Sequence, residues 1–242
     1  IGTIEVTVSW RLYLRECTVR RLNRQRPKDQ RLRFRSKYRL ARAMLLEIVP
    51  LIPEECRIYV LFDSWYASAN LIKLCKVRLG CEVICAVKSN RLLDGTSLRN
   101  HNRTLRHHPY ERVTLPGATG QSTTYLVRSL TGRMTDMPFT VRVFVSKRHY
   151  GDGSPCYFMS TDMELSAQEV FDHYQRRWSV EVDNFYLKTR LGLGDFRVQS
   201  VEAIEKWYAL VFLTYAYLQR RLEEERSEQI RTIADVIRRH QQ

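Results

Sequence analysis

The twenty-six residues from Ser166 to Leu191, SAQEVFDHYQRRWSVEVDNFYLKTRL, hold neither proline nor glycine. Ser166 followed by Glu169 has the form of a capping box, and Gly192 supplies a stop. The stretch therefore predicts one helix of about seven turns. On such a helix Tyr174, Arg177, Glu181 and Lys188 fall within about 60° of one another, on a single stripe. Phe171, Trp178, Val182 and Phe185 form an adjacent apolar stripe that would seat the helix on a core. Asp183 falls on the far side with Asp172 and Arg176, facing solvent, so the spacing selects Glu181 as the working acid.

A carboxylate at the shoulder of a buried face, one turn from an arginine and two from a lysine, suits a cleft in which it binds a divalent cation while the bases hold phosphates. The same stripe is equally an ordinary set of i,i+4 and i,i+7 charge pairs on an amphipathic helix. A second motif bears on the choice. Ile58 to Phe62 is a continuous apolar run, as a strand covered on both faces requires, and Asp63 follows it directly. Acids at the carboxyl ends of strands are well placed for chemistry. Asp63 could instead cap the helix that follows.

Tyr174-x2-Arg177-x3-Glu181-x6-Lys188 resembles, position for position, the Y-(2)-R-(3)-E-(6)-K signature of the DDE transposases of bacterial insertion sequences, in the group with a β-stranded insertion before the last acid. Asp63, in RIYVLFDSWYAS, looks like the second aspartate of that family. The resemblance spans about residues 58 to 218. It implies an α/β, ribonuclease-H-like mixed sheet flanked by helices, with an inserted β-rich subdomain. It also implies DNA strand cleavage and strand transfer with two divalent ions, magnesium or manganese. Asp63 and Glu181 would be catalytic and metal-ligating, and Tyr174, Arg177 and Lys188 would contact DNA. Partners would be double-stranded DNA, both element ends and target, and a second copy of the chain in a homodimeric synaptic complex.

The charge agrees with a polyanionic partner. Net charge is +14 and the pI about 9.8, which favours nucleic acid over an anionic membrane surface. Residues 1–42 hold thirteen Lys/Arg against three Asp/Glu. The longest apolar neighbourhood, Trp207 to Leu218, is too short to span a bilayer and reads as a core helix. No secretory leader stands at the start. The six cysteines show no CxxC pair; Cys81 and Cys85 with His107 and His108 make zinc conceivable, against buried reduced thiols. A reducing cytoplasm is the expected location.

Along the chain, Thr3 to Leu14 alternates as a strand should. Arg15 to Arg39 reads as an exposed arginine-rich connection, either tracking a DNA backbone or merely solvated. Lys37 to Val49 has helical periodicity ended by Pro50 and Pro53, and Ile58–Phe62, Ala67–Leu79 and Glu82–Val87 make a strand–helix–strand unit. Short strands are expected at Thr123–Leu130, Phe139–Ser146 and Tyr157–Ser160. Lys88, Arg91, Arg128, Arg142, Lys147 and Arg148 line a DNA path or are surface charges; His173 carries no motif. A second helix begins near Val201 and packs on the first and on the sheet, and Glu223 to Gln242 is helical. The expected division is 1–90 and 166–242 for a catalytic core interrupted by a β insertion at 91–165.

In the family the first catalytic aspartate lies on a strand before the opening hairpins, so it is expected before Ile1, the chain being truncated at its N-terminus. With two of three acids, isolated strand cleavage should fail. Two other classes stay open: a non-catalytic basic DNA-binding remnant, and another ribonuclease-H-like metal nuclease.

Overall fold

The structure, a computed structural model, describes residues 5–117, 120–198 and 200–240. In chain order its elements are α1 (Glu16–Asn23), α2 (Lys37–Ile48), β1 (Tyr59–Phe62), α3 (Ala69–Lys73), β2 (Glu82–Val87), β3 (Leu92–Leu93), β4 (Thr96–Ser97), α4 (Leu98–Thr104), β5 (Glu111–Pro116), β6 (Ser122–Arg133), β7 (Thr140–Lys147), β8 (Cys156–Ser160), α5 (Ala167–Gln175), α6 (Ser179–Thr189), α7 (Val201–Glu225) and α8 (Ile233–His240). They fall into two compact units, Arg35–Arg177 and the pairing of residues 5–34 with 178–240.

The first unit is a mixed six-stranded sheet of order β1-β2-β8-β7-β6-β5 with helices packed on it. This is the expected α/β class, compatible with a ribonuclease-H-like fold. β1 and β2 are parallel and joined through α3, which is the strand–helix–strand unit the sequence predicts. The remaining ladders are antiparallel, and β8 inserts between β2 and β7. The strands of residues 111–160 thus continue the same sheet as β1 and β2.

Side chains alternate across this sheet with period two. Val83, Cys85 and Val87 of β2 join Val141, Val143 and Val145 of β7 on one face, under Leu71 and Ile72 of α3 and Leu45 of α2. Ile84 and Phe144 point the other way, against Ala167, Val170 and Phe171 of α5. β1 obeys the same rule. Val60 and Phe62 pack on the first face and Tyr59 and Leu61 on the second, so this edge strand is covered on both sides.

In the second unit α6, α7 and α8 gather Leu187, Val211, Tyr215, Leu218, Ile233 and Val236. Residues 5–14 form no strand, contrary to the alternation; residues 3 and 4 of that expected strand lie outside the described residues. Their backbone finds another partner: the Thr7 N–H donates to Gln219 Oε1 at 3.1 Å, and the Trp10 ring stacks on Phe212 at 5.3 Å. The expected arginine-rich connection holds a two-turn helix, α1, because Val19 is buried and Glu16 pairs with Arg20 one turn on.

The stretch 166–191 is not one helix. α5 ends at Gln175, Arg176–Trp178 forms a 3-10 turn, and α6 begins at Ser179. A 3-10 turn advances about 120° per residue against 100° for the α-helix, so a stripe counted at 100° does not carry through it. The apolar stripe fails with it. Phe171 is buried, but Trp178, Val182 and Phe185 are exposed, and α6 instead buries Leu187. Asp183, expected in solvent, is half-buried and accepts a hydrogen bond from the Tyr215 hydroxyl at 2.6 Å. α7 also departs from a wholly buried helix: Leu210, Leu213 and Tyr217 are exposed.

Candidate functional site

Asp63 follows the last residue of β1, as the sequence predicts, and is half-buried. It does not cap the next helix; Ser68 does, accepting from the Leu71 N–H. Asp63 Oδ1 instead accepts from the Trp65 N–H at 2.9 Å, which folds the carboxylate over its own loop. Such an Asx-type turn fixes the side chain at the strand end and leaves Oδ2 without a hydrogen bond among the described residues.

Tyr174 comes to the same end of the sheet from α5. Its ring packs edge-on against Phe158 at 4.9 Å and rests in the cluster that holds Ile84 and Phe171. Burial raises its hydroxyl above the ordinary phenol range; Arg177 opposes this, and Cys85 and Asp63 add to it. The hydroxyl thus stays protonated, a donor rather than a phenolate. The Arg177 guanidinium lies 5.6 Å from the Tyr174 ring centroid. The capping box that starts α5 is present in full: Ser166 Oγ accepts from the Glu169 N–H, and Glu169 reaches back to the Ser166 N–H at 2.8 Å. Asp63, Tyr174 and Arg177 all belong to the sheet unit.

Glu181 and Lys188 belong to the helical unit. Both are exposed on α6, Glu181 in its first turn and Lys188 in its last. Asp183 is occupied by Tyr215, and Glu181 is the more exposed acid of the two.

Two of the six expected path-lining bases serve the sheet. Arg128 is buried with its guanidinium 3.7 Å from the Tyr110 ring centroid, and Arg142 donates to the Leu165 carbonyl and to Ser129 Oγ. Lys88 and Arg148 are exposed and Arg91 and Lys147 half-buried. His173 stacks on Tyr59 with centroids 4.5 Å apart. Cys75, Cys81 and Cys85 are buried, and burial pushes each thiol up, Cys75 to about 12. Among the described residues no group of three or more His, Cys, Asp or Glu is gathered to hold a metal ion. No helix among them is long and apolar enough to cross a membrane.

One residue at this site escaped the sequence reading. Trp65, two positions after Asp63, is 76% exposed, with the Lys88 ammonium 5.8 Å from its ring centroid. Nothing in the local sequence marks that exposure, since an aromatic beside an apolar strand reads as core.

Residues 35–217, well over half of the chain, match the model of the family described as transposase DDE domain, and that stretch contains Asp63, Tyr174, Arg177, Glu181 and Lys188. No curated protein matches the chain.

Proposed function

This chain belongs to the transposase DDE-domain family, so its function lies in transposition, and from that premise we propose that it takes part in cleaving DNA at the ends of an insertion sequence and joining those ends to a target. The observation that carries the reading is Asp63, fixed at the carboxyl end of β1 with Oδ2 without a hydrogen bond among the described residues, and with Tyr174 and Arg177 from the same unit. A net charge of +14 supports a DNA substrate.

The family is generally dependent on a divalent metal. The donor chemistry here fits a hard ion in part: Asp63 and Glu181 offer carboxylate oxygens suited to magnesium or manganese, but these are two acids rather than a gathered cluster. In this proposal Asp63 and Glu181 are its ligands. When bound, such an ion stabilises charge on the oxygens of an in-line phosphoryl displacement. The chain's own residues position the strand. Tyr174, kept protonated by burial, donates to a phosphate oxygen; Arg177 offers a planar fork to a second, and Lys188 a point charge. A second copy of the chain would bring the partner end.

The test is excision and joining of a reporter element bordered by the DNA that flanks this gene, with the protein expressed from that gene. End-specific joined products are expected, lost in Asp63→Asn and in Glu181→Gln while DNA retention persists. Nicks without joining would indicate a nuclease. Unchanged products in both variants would leave the carboxylates without a role, and DNA retention with no cut or joined product would favour a basic DNA-binding protein.

A further inference from the structure

α7 carries two apolar stripes. One, with Val211, Tyr215 and Leu218, is buried in the core of the helical unit. The other faces solvent: Leu210, Leu213 and Tyr217 are 61%, 69% and 53% exposed. Lys206, Arg220 and Glu224 extend that second line in both directions and are exposed too. These six positions follow one another by four and three residues in alternation, which is the spacing of a seam between two helices of a coiled coil. α7 runs unbroken from Val201 to Glu225, about 37 Å, so one straight element presents the whole line. A solvated face has no need of two leucines and a tyrosine at its centre.

The line is complementary to itself in one direction only. Two copies set antiparallel about a dyad at the level of Tyr215 place Leu213 against Tyr217 of the partner subunit and Leu210 against the stem of Arg220 of the partner subunit. One layer further out, Lys206 meets Glu224 of the partner subunit. Each layer recurs across the dyad, as a two-fold interface requires. Parallel pairing would instead stack Lys206 on its own copy, and likewise Arg220 and Glu224, leaving like charges opposed. Thr214 and Ala216, next to the dyad, are small and let the two axes approach. Within one chain Glu224 already pairs with Arg220 and Arg221, so the lysine joins an existing charge network.

We propose that this face of α7 is the seam of a homodimer, in which two copies of the chain pair antiparallel through Leu210, Leu213 and Tyr217, and that the pairing needs no DNA. The proposal rests on the reading above for the use of a second copy, and adds the surface that holds it.

Sedimentation velocity of the full chain without DNA, from about 0.1 to 100 μM, reads the association directly. A dimer that dissociates on dilution is expected. Leu213→Glu puts a charge into both central layers and should weaken pairing more than about a hundredfold. Lys206→Glu sets acid against acid and should weaken it about threefold to thirtyfold, and adding Glu224→Lys should restore most of that loss. A wild-type chain that stays monomeric, or a dimer that survives Leu213→Glu, overturns the proposal. So does a double variant no stronger than Lys206→Glu, since that refutes the antiparallel arrangement. Pairing seen only after DNA is added overturns the seam and leaves the DNA reading intact; the carboxylate variants test that reading separately. Leu213→Glu should also melt with wild type when both are dilute and monomeric; a lower melting temperature would show the leucine covered by its own chain, which again overturns the seam.

Discussion

Substituting Asp162 by Ala tests how the strand that carries Asp63 is anchored. Asp162 follows β8 and is 2% exposed. Its Oδ2 accepts from the Tyr59 hydroxyl at 2.6 Å and pairs with Arg57 at 2.6 Å, and its Oδ1 accepts from the Glu164 N–H at 3.0 Å. Tyr59 is the first residue of β1, so the carboxylate ties down the end of that edge strand opposite Asp63. Hydrogen bonds to a charged group contribute about 1.5–3 kcal/mol each, and truncation leaves the Tyr59 hydroxyl without its acceptor. The Arg57 pairing adds little, since that side chain is half exposed and turns to water. The two remaining bonds are not additive, and a loss of about 3 kcal/mol is expected at pH 7. In urea that moves the midpoint of the sheet unit's transition by about 1–2 M.

The pH dependence of this loss has a definite sign. Burial acts to raise the Asp162 carboxyl, but the Tyr59 hydroxyl, the Glu164 N–H and Arg57 outweigh it and hold the group below the ordinary range. A carboxylate with a depressed folded pKa stabilises above its unfolded value of about 3.9 and loses that contribution as pH falls through the folded value. The gap between wild type and Asp162→Ala should therefore be full at pH 6–7 and shrink as pH falls below the unfolded value of about 3.9, closing once the folded carboxyl is protonated. Urea melts followed by near-ultraviolet circular dichroism measure it. A gap under about 0.5 kcal/mol at pH 7, or one that widens on acidification, would refute the reasoning.

Other outcomes follow from the same structure. Tyr215→Phe removes the bond to Asp183 and should destabilise the helical unit by about 1–2 kcal/mol in a urea melt. Asp183 itself is raised, first by burial and despite that hydrogen bond, so its contribution is present at low pH and lost as pH rises through the folded value; Asp183→Asn should leave stability at pH 7 equal or higher and remove that pH dependence. Arg177→Ala and Lys188→Ala should each weaken DNA binding across sequences alike and reduce the slope of log affinity against log salt by about one, in a salt titration.

What the sequence made legible was what depends on local pattern. The run Ile58–Phe62, the turn at Gly80 with its positive φ of 66°, and the strand at Glu82–Val87 define a parallel pair with Asp63 directly after its first strand. The capping box at Ser166 and Glu169 and the start of α7 after Ser200 were equally plain, because a cap is a contact between residues three apart. Other features depend on partners distant in the chain. Alternation in residues 5–14 fits a strand as well as it fits packing on α7, and only the Thr7–Gln219 and Trp10–Phe212 contacts decide between them. The 3-10 turn at Arg176–Trp178 leaves no mark, as every residue there tolerates an α-helix. Once the register shifts, Val182 and Phe185 turn outward and Asp183 inward toward Tyr215.

The roles proposed for Asp63 and Glu181 as ligands of divalent metal are tested most directly by metal-directed cleavage of the protein backbone. Iron(II) substituted for magnesium in the full chain, with ascorbate and peroxide, cuts the backbone where the metal sits. The account predicts cuts beside both Asp63 and Glu181, suppressed together by excess magnesium and lost at both places in either Asp63→Asn or Glu181→Gln. Cuts confined to other segments, or cuts at one carboxylate that persist when the other is replaced, would contradict it.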